Sequence, residues 1–337
     1  MSMPHAGEVR APGKLVWLGE YAVLEGAPAV VAAVDRYARA SVKAGSEGWS
    51  LTASNLSASR HWPGERPDDD PLNLALCLLD VLADAELIDA HSGAHILLDS
   101  SALFLDGQKT GLGSSAAVLT ALCQLVAPQL DRARAFSLID QAHRRAQQGL
   151  GSGVDVAAAL QGGVQMFQRP APALPPIMKA LTLPNDLHWC AVFTGHATST
   201  ADYLARIRLW QARATWEYGA YRDAMQATAV SGVAALVAGN ASEFCAAADS
   251  YAEVLDAFGR AAGVDIVSAV HSQLRQKAKE AGVAYKTSGA GGGDMGVAFA
   301  TETAALDRFR TLADALPSCQ VMTLKLAPAA AHRPAAR

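Results

Sequence analysis

Three glycine-rich segments, far apart in a chain of 337 residues, hold the residue types suited to binding a phosphate-like anion. The central one reads Gly111-Leu112-Gly113-Ser114-Ser115-Ala116-Ala117 and leads into a helix expected over 114–126, ended by Pro128. Glycines let the backbone approach an anion closely, and a helix N-terminus adds unpaired N–H groups and a positive dipole end. The hydroxyls of Ser114 and Ser115 suit a helix cap, a phosphate oxygen or a magnesium ion. An ordinary serine-capped helix after a glycine turn would look the same. The loop also fits G-x-G-x-x-A, but Asp131, near the place of a ribose-binding acid, follows a helix that Pro128 ends, and no clear second parallel strand precedes it. No Gly-Lys-Ser/Thr follows, so this is not a Walker A loop. Lys109 lies before the glycines instead, at a loop edge from which it could fold back toward a nucleotide's β- and γ-phosphates.

The second segment, Lys286-Thr287-Ser288-Gly289-Ala290-Gly291-Gly292-Gly293-Asp294, has four glycines in five positions. So many glycines cost backbone entropy on folding, which a mere connector seldom needs. Successive N–H groups in such a turn make an anion nest; a flexible hairpin is the plainer alternative. The third segment runs from Ala11 to Tyr21 and sets Lys14 and Glu20 at opposite ends of a short strand, each beside a glycine. His91 and His95 lie four apart, but Gly93 between them and the lack of a third nearby ligand count against zinc. Five scattered cysteines with no Cys-x-x-Cys pair read as buried, reduced thiols.

These segments need a frame to bring them together. A composition 51% hydrophobic and 18% charged describes a globular chain with a sizeable core. The net charge of -4 gives no basic footprint for nucleic acid, so any anion must be held by local groups. The start lacks the layout of a signal peptide and no apolar run is long enough for a membrane span, so a cytoplasmic protein is expected. Turn signals and β-branched runs predict strands over 15–18, 29–34 and 38–43, then a loop-rich excursion over 46–70. Helical spacing marks 72–87 and 134–147, with a strand at 95–98 between them. The proline-rich stretch 169–184 is the expected domain boundary. A strand over 188–193, long helices over 201–281 and a strand–loop–strand around the second glycine cluster follow, and the tail over 327–337 reads as frayed.

With all three segments in order, the chain resembles the GHMP kinase superfamily, which includes galactokinases, homoserine kinases, mevalonate kinases and phosphomevalonate kinases. Within it the sequence is most similar to phosphomevalonate kinases. Pro12-Gly13-Lys14-Leu15 with Gly19-Glu20-Tyr21, the lysine ahead of the central loop, Gly151-Ser152-Gly153-Val154-Asp155, and Asp294 after the glycines all carry that likeness. Thr194-Gly195-His196 departs from the pattern by placing histidine where lysine is expected. Residues 142–148 lack the metal-binding glutamate of mevalonate kinases and hold Arg144 and Arg145 instead, which suits an acceptor already bearing a phosphate.

The resemblance implies an α+β fold of two domains: a ribosomal protein S5 domain 2-like unit over 1–175, a ferredoxin-like unit over 176–330, and a frayed tail over 331–337. It implies ATP and Mg2+ as cofactors, a small-molecule acceptor, no nucleic acid or membrane partner, and leaves a homodimer open. The implied reaction is phosphorylation of 5-phosphomevalonate to 5-diphosphomevalonate, with mevalonate or another small alcohol as runner-up acceptor. Lys14 and Asp155 are the implied catalytic pair, although Asp155 also fits a helix N-cap. Lys109, Gly111, Leu112, Gly113, Ser114, Ser115 and Ala116 would hold the nucleotide, with Ser115 and Ser114 as metal ligands. Glu20, Tyr21, Ser152, Gly153, His196, Ser288, Gly289, Ala290, Gly291 and Gly292 would line the acceptor site.

Overall fold

The computed structural model describes residues 7–67, 69–147, 151–171, 174–195 and 200–329. The first part of the chain runs β1 (Glu8–Leu18), β2 (Ala29–Glu47), β3 (Trp49–Ala53), β4 (Ala58–Trp62), α1 (Asn73–Asp84) and β5 (Ser92–Asp99). The short strands β6 (Phe104–Leu105) and β7 (Gln108–Lys109) form a hairpin. Then come α2 (Ser114–Val126), α3 (Arg132–Ala146), α4 (Val154–Gln161), β8 (Val164–Gln168) and β9 (Ile177–Leu181). Seven of the strands form one sheet in the order β4-β3-β5-β2-β8-β9, with β1 paired to β2. Helices α1 to α4 bury apolar faces such as Leu119, Leu122, Ile139 and Val156 in a core shared with that sheet.

The rest runs β10 (His188–Phe193), α5 (Thr200–Arg213), α6 (Thr215–Val237), α7 (Ala241–Ala262), α8 (Ala269–Ala281), β11 (Ala284–Ser288), β12 (Met295–Ala300), α9 (Thr303–Asp314) and β13 (Gln320–Met322). Its four strands are all antiparallel, in the order β11-β12-β10-β13. Strands first and third in sequence lie side by side at the centre, which is the ferredoxin-like order. A second core, with Trp17 against Phe244 and Phe299, joins β1 to α7 and β12.

The structure corrects several expectations. The strands foreseen at 29–34 and 38–43 are one 19-residue strand, because β2 continues across Asp35–Tyr37. The excursion at 46–70 contains β3 and β4, whose Trp49, Leu51, Ala58 and Trp62 are buried while Ser59 and His61 face outward. A half-exposed edge hairpin has enough polar residues to resemble a loop. The division at 175/176 cuts ahead of β9, whose ladder to β8 belongs to the first sheet. Ala327 is not frayed: its N–H donates to Ala33 O at 2.9 Å and its carbonyl accepts from Gly163 at 3.0 Å.

A buried histidine pins the second glycine segment. His271 on α8 is fully enclosed, with Nε2 2.9 Å from the Gly293 carbonyl and Nδ1 2.8 Å from the Tyr285 hydroxyl. The carbonyl can only accept, so Nε2 carries the proton and Nδ1 accepts from Tyr285. Burial pushes the His271 pKa down to about 4 from 6.5. Between those values the unfolded chain holds the extra proton, so stability falls as pH drops through that window and is intact above it. Urea unfolding from pH 7 to pH 4 should therefore show a loss from this residue on the order of 3 kcal/mol. His271→Gln should make the pH slope correspondingly shallower; an unchanged slope would refute the assignment.

Candidate active site

Lys14 is brought into place by an irregularity in β1. The register with β2 shifts between Pro12 and Gly13, and such bulges re-aim the next side chain. The Lys14 N–H donates to Leu112 O at 2.8 Å, tying β1 to the central loop. The aliphatic stem of Lys14 lies across Gly113, where an added Cβ would sit 2.8 Å from Lys14 Cγ. Its ammonium is 3.5 Å from Asp155 Oδ1 and 3.7 Å from the place of a Cβ on Gly289. Lys14 is 8% exposed, so this ammonium works with little water around it. The three segments therefore meet at one lysine.

The central loop keeps the geometry of an anion site. Gly111 and Gly113 have φ of 76° and 77°, and α2 starts without a side-chain cap. The Ala117 amide bonds back to Gly113 O, so the amides of Ser114, Ser115 and Ala116 are the first-turn donors that a helix leaves unsatisfied. A cavity of ≈ 70 Å³ opens beside them, lined by Lys109, Ser114, Ser115, Phe104, Leu72 and Asn55 among others. Apolar walls ending at free amides suit a nucleoside joined to phosphates. Asp294 packs against Gly111, where a Cβ would come within 2.7 Å of it.

The second glycine segment divides its work. Gly289 faces Lys14, but the Gly292 N–H donates to Ile266 O at 2.7 Å and a Cβ on Gly291 would lie 2.4 Å from that same oxygen. Gly291 and Gly292 thus allow close packing on the α7–α8 connection, and the expected open nest is partly closed by protein. Ser288 accepts the Val16 N–H through Oγ at 3.0 Å, and the Tyr21 hydroxyl donates to Ala290 O. These two bonds fasten β1 and its following turn to the glycine segment.

Glu20 is corrected from an acceptor-site residue to a structural one. Its carboxylate pairs with Lys286 where neither side chain reaches solvent. The Tyr251 hydroxyl donates to Glu20 O at 2.7 Å. Burial pushes the Glu20 carboxyl up and the Lys286 ammonium down, and each charge opposes the shift of the other.

A larger cavity, ≈ 430 Å³, opens beside the turn that leads into α4 and Asp155. Tyr21 and Ser152, two of the residues expected at the acceptor site, line it together with Gly151, Arg144, Arg169 and Arg208. Gly153, at φ 86°, starts α4 and sets Asp155 in its first turn. Asp140 on α3 accepts from Arg144 Nε at 3.0 Å and from Arg169 Nη2 at 2.9 Å. His143 beside them is lowered by burial, against the pull of Asp155 and Asp140. His196 lies outside the described residues. Sequence reasoning singled out Arg144 but missed Arg169, Arg208 and Asp140, which lie in no motif and meet only in space.

Comparison with known proteins agrees with this geometry. Residues 73–163 match the GHMP kinases N-terminal domain. A phosphomevalonate kinase of Streptomyces sp. (strain CL190) is 29% identical over 343 residues, covering 88% of this chain and 90% of the relative. The crystal structure of a Lin0012 protein from Listeria innocua superposes with a TM-score of 0.87 at 23% identity, covering 96% and 98% of the two chains. The Streptococcus pneumoniae phosphomevalonate kinase in complex with phosphomevalonate and AMPPNP gives 0.80 at 19%, covering 95% and 99%. The chain is similar to the GHMP kinase superfamily, and these likenesses support a phosphotransferase enzyme. Among the members of that superfamily it is most like phosphomevalonate kinases.

The buried ion pair gives a direct test. Lys286→Met leaves the Glu20 charge alone in the interior and should cost about 3–5 kcal/mol in denaturant unfolding. The double variant Glu20→Met/Lys286→Met should recover most of that loss; additive losses would show that charge pairing is not what matters there.

Proposed function

We propose that the protein transfers the γ-phosphoryl group of ATP to 5-phosphomevalonate, giving 5-diphosphomevalonate. The observation that carries this proposal is the cluster of Arg144, Arg169 and Arg208 around a cavity that Gly151 and Ser152, in the turn leading to Asp155, also line. An alcohol acceptor such as mevalonate would not need three guanidinium groups. A phosphate acceptor would, since its second pKa near 6 makes it largely a dianion at neutral pH. Arginine forks match phosphate oxygens in pairs.

Two phosphate groups repel strongly as they approach: unit charges 4 Å apart interact by about 4 kcal/mol at an effective dielectric of about 20. The chain's own cations oppose this. Lys14, between Gly113 and Gly289, is the group that meets the transferring phosphoryl, with the α2 amides on the nucleotide side and the arginines on the acceptor side. An acceptor phosphate oxygen forms the new bond to Pγ as the bond from Pγ to the β-phosphate oxygen breaks and ADP departs. No proton must leave a dianionic acceptor, so Asp155 chiefly holds Lys14 in position. For magnesium, the hydroxyls of Ser114 and Ser115 are hard oxygen donors at the start of an uncapped helix, and they fit the ion's preference. The described residues contain no cluster of three or more metal-ligating side chains, so nucleotide oxygens would complete the shell. When bound, the ion neutralises charge on the transferring group.

A panel of mevalonate, phosphomevalonate, galactose and homoserine with magnesium-ATP, read by ADP formation, tests the proposal. Phosphomevalonate should give the highest kcat/KM by at least about tenfold; preference for any unphosphorylated alcohol would refute it. Asp155→Asn should lower kcat far less with the phosphate acceptor than a general base would require, by about tenfold rather than the 10²–10⁴ typical of lost proton transfer. Lys14→Met should nearly abolish turnover.

A further inference from the structure

Asp140 belongs to no motif, yet it occupies the point from which two of the three arginines are held. It is only 6% exposed, on the inner face of α3, and a single oxygen, Oδ2, accepts from both Arg144 and Arg169. Arg144 sits one helical turn further along α3, whereas Arg169 follows β8, so the carboxylate joins two elements. Because Arg144 gives Asp140 its Nε, its two terminal nitrogens have no protein partner among the described residues and remain as a planar fork for a ligand. Arg169 is fixed from a second side, with its guanidinium 5.7 Å from the centre of the Phe136 ring.

The turn ahead of Asp155 is shaped to fit this assembly. A Cβ on Gly153 would lie 2.6 Å from Asp140 Oδ1 and 2.8 Å from Arg169 Nη2. Only glycine, at φ 86°, lets the turn that starts α4 rest directly on the ion pairs. The arginines and the catalytic aspartate are thereby set from one base. Asp140 Oδ1 is buried without a hydrogen-bond partner, a costly arrangement for a carboxylate whose only task is to stabilise the fold.

We propose that Asp140 is a positioning residue for the acceptor site: it aims Arg144 and Arg169 at the phosphate the acceptor already carries, and so sets the selectivity for a phosphorylated acceptor. This rests on the acceptor class proposed above. The bond formed and the bond broken are those of the main reaction; Asp140 exchanges no proton and touches no reacting atom. One carboxylate against two guanidinium groups leaves a net positive charge, so the pair stays orderly without being neutralised.

Steady-state kinetics of Asp140→Asn test it, with phosphomevalonate and ATP varied separately. The amide keeps the shape but loses the charge that orders both arginines. The KM for phosphomevalonate should rise about tenfold, the loss of roughly one charge-assisted hydrogen bond, while the KM for ATP moves less than about twofold. In an Arg144→Met background the same substitution should raise the acceptor KM by much less, because one of its two targets is gone. Equal rises in both KM values, or full additivity in the double variant, would mean a general structural role and overturn the assignment. A wild-type enzyme indifferent to the acceptor's phosphate overturns both proposals. A selective wild type with an unaltered acceptor KM in Asp140→Asn overturns this one alone.

Discussion

A salt bridge sealed from water between Glu20 and Lys286 joins the two sheets, and the approach of the second glycine segment to Lys14 follows from it. Glu20 lies two residues past the end of β1 and Lys286 lies within β11, so the pair fixes the end of the first sheet's leading strand against the second sheet. Such pairs seldom add net stability, since desolvation offsets the Coulomb gain, but an unpaired charge there is intolerable. The consequence is register. With Lys286 held, Ser288 meets the Val16 amide two residues later and Ala290 meets Tyr21. The Gly289 backbone then arrives beside the Lys14 ammonium. A sliding hydrophobic interface would not define that approach so closely.

The glycine segments were legible because their demands are local. Positive φ and close backbone approach must be written as glycine, so Gly111, Gly113, Gly153 and Gly289 appear in the sequence whatever surrounds them. The helix after Ser114 was equally plain, since Pro128 and the apolar spacing bound it. Partner identity was not legible. Glu20 beside a glycine reads as a site residue until Lys286, 266 positions away, is seen to occupy it. Gly291 and Gly292 look like an anion nest until Ile266 is found against them. The hairpin of β3 and β4 was hidden because an edge strand alternates polar and apolar residues as some loops do.

The arginines show the same limit from the other side. Arg144 was noticed only because a carboxylate was missing near it, and Arg169 and Arg208 carry no local mark at all. They converge because α3, the segment after β8, and α5 all border one cavity. Convergence of like charges is unfavourable unless something offsets it, and Asp140 supplies that offset from within the protein. The cluster therefore exists before any ligand arrives, and the cost of assembling it is met during folding rather than at binding.

Placing cations this way would also let a chain of net charge -4 hold the two phosphate groups of the proposed reaction. Field strength at a site depends on nearby charges and on exclusion of water, not on the overall sum. Lys14 is nearly buried and held by Asp155, so its charge acts through little solvent. The α2 amides add partial charge without adding any ion. Two carboxylates, Asp155 and Asp140, are spent on orienting cations rather than on opposing phosphate. Each stands behind a basic group that it aims, and removing either should disturb geometry before it disturbs charge. In the proposed reaction that shared logic, a carboxylate behind each cation, would link the nucleotide side of the site to the acceptor side, with Asp140 as the counterpart of Asp155.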